Sequence, residues 1–117
     1  YSSRREWWQA GQQRTLKSLR GNATHIVYIT DTPHPQQDIP ACLAGGVISD
    51  CDDSERSEAI SIPGLKAVNP TPWLCSDKCS SVINEQVAYR DGSHISIAMS
   101  ELLAQPLGVA LRRLGVL

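Results

Sequence analysis

His25-Ile26-Val27-Tyr28-Ile29-Thr30 is β-branched, aromatic and almost continuously apolar. Alternating polarity would mark a sheet with one wet face. An unbroken apolar run predicts a strand covered on both faces, as in a parallel sheet. The segment before it reads as a helix. Ser3 followed by Glu6 forms a capping-box pattern, Trp8, Gly11, Thr15, Leu16 and Leu19 recur at helical spacing, and Arg4, Arg5, Gln12, Gln13 and Lys17 supply a wet face. Lys17 and Arg20 suit the negative end of the helix dipole, and Gly21 is the predicted stop. A helix followed by a buried strand is the repeating unit of an α/β fold.

Downstream of this strand the chain changes character. Pro33, Pro35, Pro40, Gly45 and Gly46 forbid long regular structure up to about Ile62, and Asp50, Asp52, Asp53, Glu55 and Glu58 make the second half acidic. This stretch reads as a solvated surface excursion, with a helical fragment predicted over 54–59. Pro63-Gly64 signals a turn, and Leu65-Lys66-Ala67-Val68-Asn69 reads as a second short strand. Val82 to Tyr89 suits a short strand or one arm of a hairpin. The last segment is helical, with Met99, Leu102, Leu103, Pro106, Ala110, Leu111 and Leu114 on one stripe and Ser96 as N-cap. Pro106 is expected to kink this helix or split it in two.

The chain has 117 residues, of which 41% are hydrophobic, and a formal net charge of -1. This fits one small domain or a piece of a larger one and excludes a disordered chain. The near-neutral balance gives no reason to expect nucleic acid or an anionic membrane surface as partner. No apolar run is long enough to span a bilayer, and no export signal is recognisable, so that an exported protein would carry its signal outside this sequence. The four cysteines, Cys42, Cys51, Cys75 and Cys79, form two local pairs among loop residues. The expectation is two small disulfide loops, Cys42–Cys51 and Cys75–Cys79, and an oxidising compartment. A four-thiolate zinc site competes with this reading, although neither pair has the tight C-x-x-C spacing; free thiols are the third option.

Chemistry concentrates in Tyr89-Arg90-Asp91-Gly92-Ser93-His94, directly before the last helix. An Asp and a His three residues apart on a loop can bring a carboxylate against an imidazole. The carboxylate then fixes the tautomer and stabilises the imidazolium, which makes the His a general base for a serine hydroxyl. Taken alone the spacing is common, and a loop Asp capping a helix beside a surface His has the same signature. His25 opens a strand and His34 lies between two prolines, both blander settings.

Context adds to the pattern. The order runs from Trp7-Trp8 in a helix through Ile26-Val27-Tyr28-Ile29, Asp31-Thr32-Pro33, Ile39-Pro40-Ala41-Cys42-Leu43 and Cys51. It continues with Asn69-Pro70-Thr71-Pro72-Trp73-Leu74-Cys75, Cys79 and Tyr89-Arg90-Asp91-Gly92-Ser93-His94-Ile95-Ser96. Over nearly its whole length the chain therefore resembles the C-terminal SGNH domain of OafA-like bacterial membrane acyltransferases, which modify cell-surface glycans. The resemblance implies a three-layer α/β/α sandwich with a parallel sheet of the SGNH-hydrolase, flavodoxin-like kind, and a site at the C-terminal ends of the strands. It implies His94 as general base and Asp91 as its orienting carboxylate. The nucleophilic serine of the family lies in an N-terminal Gly-Asp-Ser block, and a glycine and an asparagine from other blocks help form the oxyanion hole.

No Gly-Asp-Ser occurs in this sequence, and the stretch between Cys51 and Pro63 is short for the family. Residues 1–117 are therefore read as the C-terminal portion of an SGNH domain. Its expected partners are the upstream half of the same domain, an acyltransferase membrane domain that delivers the acyl group, and a glycan acceptor. The expected activity is acyl transfer, acetyl foremost, at the extracytoplasmic face of a bacterial membrane, with no metal and no bound cofactor. A carbohydrate or lipid esterase is the neighbouring alternative. A non-catalytic, disulfide-stapled glycan-binding module is the alternative of a different class. In that case Trp7, Trp8 and Trp73 offer rings for stacking on sugars, although core packing is the plainer expectation for Trp8.

Overall fold

A computed structural model describes residues 3–53 and 62–117. The helix predicted over 54–59 lies outside the described residues. Helix α1, Arg4–Leu19, begins where the sequence places it: Ser3 Oγ accepts from the Glu6 backbone N–H at 3.2 Å. It ends with Arg20 N–H donating to the Leu16 carbonyl. Gly21 lies in the closing turn without a left-handed φ, so the stop does not depend on glycine.

Strand β1, Val27–Ile29, pairs in parallel with β2, Lys66–Val68, in the register Val27↔Lys66, Tyr28↔Ala67, Ile29↔Val68. Both strands are shorter than the apolar runs that predict them. Pairing continues one step further through Thr30 N–H to the Val68 carbonyl. The Asn69 carboxamide oxygen then accepts from Thr30 Oγ1 and from the Thr71 N–H, which clasps the two strands at their C-terminal ends. A helix feeding a parallel pair confirms the α/β class. Burial on both faces is not what the structure shows: Val27 and Tyr28 are half-buried and Ile29 is exposed. Among the described residues β1 pairs with β2 alone, so one edge and much of one face have no cover. For the same reason α1 buries Leu16 alone, and Trp8, expected in the core, is 52% exposed beside Trp7 at 55%.

The core sits elsewhere, around Ile39, Leu74, Cys75, Cys79, Ala88, Tyr89 and Met99. Ile39 comes from α2, Ile39–Gly45, which is N-capped by Asp38 through the Ala41 N–H. Leu74 ends the single turn α3, Thr71–Leu74. The disulfides join Cys42 to Cys51 and Cys75 to Cys79, as the local pairing predicts, and all four thiols are consumed, which removes the zinc reading. By chain entropy each short loop contributes about 2–3 kcal/mol. Hydrogen bonds stitch the two disulfide loops together. Asp52 Oδ1 accepts from the N–H and the hydroxyl of buried Ser81, and the Asp53 N–H donates to the Cys79 carbonyl. Part of the acidic excursion is therefore a brace rather than a solvated face.

Strands β3, Val82–Ile83, and β4, Gln86–Val87, form a hairpin whose two turn residues, Asn84 and Glu85, both have positive φ, at 50° and 64°. The predicted C-terminal helix is two: α4, Ile97–Leu102, and α5, Ala104–Arg113. The break falls just before Pro106, whose ring has no N–H for the Leu102 carbonyl and clashes with it in a continuous helix. Met99 and Leu103 reach the core, whereas α5 buries no residue fully and rests against β2, where Lys66 Nζ donates to the Leu114 carbonyl at 2.8 Å.

Candidate active site

The loop between β4 and α4 is closed at its base by backbone bonds. Ala88 N–H donates to the Ser81 carbonyl, Arg90 N–H to the His94 carbonyl, and Ser96 N–H to the Ala88 carbonyl. Buried Tyr89 anchors one side of the loop in the core. On the other, Ser96 Oγ caps α4 through the Met99 N–H and donates to the Val87 carbonyl at 2.6 Å. A loop tied down at both ends presents its tip with little freedom, and the tip carries Asp91 and His94.

Asp91 Oδ1 accepts from the backbone N–H groups of Ser93 and His94, each at 2.8 Å. This turn folds the chain back so that His94 Nδ1 lies 2.8 Å from Asp91 Oδ2 and 3.1 Å from Oδ1. The N–H of Ser93, then that of His94, then the imidazole contact hold the Asp91 carboxyl well below the usual carboxylate range. With Nδ1 committed to the carboxylate, Nε2 is the nitrogen free to exchange a proton with a substrate or nucleophile. The side chains of Asp91 and His94 are 39% and 62% exposed, so the pair is open to a reaction partner. The sequence places these two residues together and the structure brings them together. Ser93 Oγ lies 3.2 Å from His94 Nδ1, on the carboxylate side of the ring, where a hydroxyl cannot pass its proton to Nε2.

The loop packs on the segment that leaves the C-terminal end of β1. A Cβ at Gly92 would sit 3.4 Å from the Gln37 carbonyl oxygen and 3.8 Å from that of Pro35. The same segment holds a second pair, in which His34 Nε2 lies 3.0 Å from Asp31 Oδ2, again three residues apart. The flanking prolines disguise His34 in the sequence, although Asp31-Thr32-Pro33-His34 repeats the spacing of Asp91-Gly92-Ser93-His94. His25 is exposed ahead of β1, toward the opposite end of the strand.

The sequence matches the family described as "SGNH domain (fused to AT3 domains)" over residues 2–108. The chain therefore belongs to that family, whose enzymes are of the acyltransferase and esterase kind. No curated protein and no solved structure matches it. Two disulfides fit a domain that folds in an oxidising compartment, and among the described residues no helix is long and apolar enough to cross a membrane.

Proposed function

We propose that this chain carries the His–Asp half of an SGNH acyl-transfer site. In this reading the complete protein transfers an acyl group, acetyl foremost, to a glycan at the extracytoplasmic face of a bacterial membrane. One observation carries the reading: the 2.8 Å contact between Asp91 Oδ2 and His94 Nδ1, on a carboxylate already held by two backbone N–H groups. That arrangement leaves Nε2 as a base of fixed tautomer and orientation.

The nucleophile is assigned to a serine upstream of Tyr1, in the Gly-Asp-Ser block that the family carries. Among the described serines, Ser3 and Ser96 cap helices and Ser81 is buried against Asp52. In the first half-reaction His94 Nε2 takes the serine proton as its oxygen attacks the carbonyl carbon of the acyl donor. The tetrahedral intermediate collapses, and the leaving group departs with the proton from the imidazolium. In the second half-reaction His94 takes the proton of a sugar hydroxyl, which attacks the acyl-serine. Serine leaves and recovers its proton. Asp91 stays ionised throughout and supports the positive ring. Water in place of the sugar gives the esterase reaction.

An open surface beside β1 supports the assignment of an upstream half. Trp7, Trp8, Leu19, Ile26, Val27 and Tyr28 line an open apolar groove of about 560 Å³ between α1 and β1, beside the edge of β1 that is unpaired among the described residues. Further strands of the same domain would cover it, as parallel sheets require.

In the complete protein His94→Ala is expected to lower acyl transfer about a million-fold and Asp91→Asn about 10,000-fold. Glycan acyl content in cells and 4-nitrophenyl acetate turnover by the purified protein report both. A folded His94→Ala protein with normal activity would refute the role.

A further inference from the structure

His34 is held in an unusual setting. Pro33 is fully buried and Pro35 is buried, while His34 between them and its partner Asp31 are exposed. Proline fixes φ on both sides of the histidine, and Asp53 Oδ2 secures the next residue by accepting from the Gln36 N–H at 2.9 Å. The ring is therefore presented outward from a rigid, anchored strip rather than from a loose loop. The strip touches the tip of the Asp91–His94 loop through Gly92.

The two histidines face their carboxylates with opposite nitrogens: Nδ1 in His94, Nε2 in His34. When Nε2–H of His34 donates to Asp31, Nδ1 of the neutral ring carries the lone pair. That nitrogen can accept a hydrogen bond from a hydroxyl, and the His34 side chain is half exposed. We propose that the Asp31–His34 pair is a positioning site for the acyl acceptor, in which His34 Nδ1 accepts a hydrogen bond from a hydroxyl of a saccharide next to the one that is acylated. The inference rests on the acyl-transfer reading above.

The test is the partition of one acyl-enzyme between sugar and water. The complete protein is given 4-nitrophenyl acetate as donor and de-O-acylated surface glycan from the producing cells as acceptor, and the ratio of transfer to hydrolysis is measured. His34→Ala is expected to lower the ratio about tenfold, the loss of one hydrogen bond. His34→Asn, which keeps an acceptor near the Nδ1 position, is expected to recover most of it, and His34→Gln, which keeps the contact to Asp31, is not. His25→Ala is the surface control and should match wild type. An unchanged ratio in His34→Ala overturns the proposal. So does equal rescue by Asn and Gln, and so does a wild-type ratio no higher than without glycan. His94→Ala separates the two readings: loss of both transfer and hydrolysis keeps the catalytic assignment whatever His34 does, and survival of both removes that assignment.

Discussion

Asp91 accepts two backbone N–H bonds before any contact with the imidazole is counted, so its charge is part of the loop's fold. Its carboxyl titrates below the unfolded value of about 3.9. A depressed value contributes stability that is complete above the unfolded pKa and is lost as pH falls through the folded one. Carboxyl carbon NMR should therefore show Asp91 still ionised at about pH 3, and a midpoint near that of a free aspartate would mean that the clasp does not form. Tyr89 has the opposite sign. Burial first, and the Asp53 charge second, push its phenol up to about 12. Its contribution is present below the unfolded value of about 10 and is lost as pH rises through the folded value. The Tyr89 hydroxyl is buried with no hydrogen-bond partner among the described residues. Tyr89→Phe is expected to be neutral or stabilising by up to about 1 kcal/mol at pH 7, and to remove this residue's share of the alkaline loss of stability. Denaturant melts at neutral pH and between pH 10 and 12 check both statements. Among single residues the sequence reveals what is local. Asp91 and His94 are three residues apart and the turn between them is made by their own backbone. The bonds from Asp52 to Ser81 and from Gln36 to Asp53 join distant segments, and no spacing announces them.

Elements divide along the same line. Ser3 and Ser96 are legible as caps because a cap is settled within three residues, and the break before Pro106 is legible because proline acts on its own turn. Ser96→Ala is expected to cost about 1–2 kcal/mol in a thermal or denaturant melt, since it removes the cap of α4 and the bond to Val87 together. The β3–β4 hairpin is harder to read, because its turn is Asn84-Glu85 where the favoured sequence is Asn-Gly. Both residues take left-handed backbone, which Glu85 adopts at a cost. Glu85→Gly should raise stability by about 0.5–1 kcal/mol, and a loss instead would show that the turn is not of this type in solution. Strand β1 is located by its apolar run, yet its exposure is not, since burial is decided by neighbours and not by the strand itself.

At the scale of the molecule the core and the open groove lie in different places, and the difference has a measurable effect. The isolated chain is expected to hydrolyse 4-nitrophenyl acetate no faster than free imidazole does. Activity, sensitivity to a serine-directed reagent and a blue shift of Trp7 and Trp8 fluorescence should appear together when the upstream half is joined. Serine-dependent turnover by the chain alone would place the nucleophile inside it. The two disulfides span only 9 and 4 positions, whereas the parallel register joins Val27 to Lys66. Loop closure costs less entropy for each near pair than for a crossed pair such as Cys42 with Cys75, so chain statistics alone favour both native bonds before the parallel strands have met.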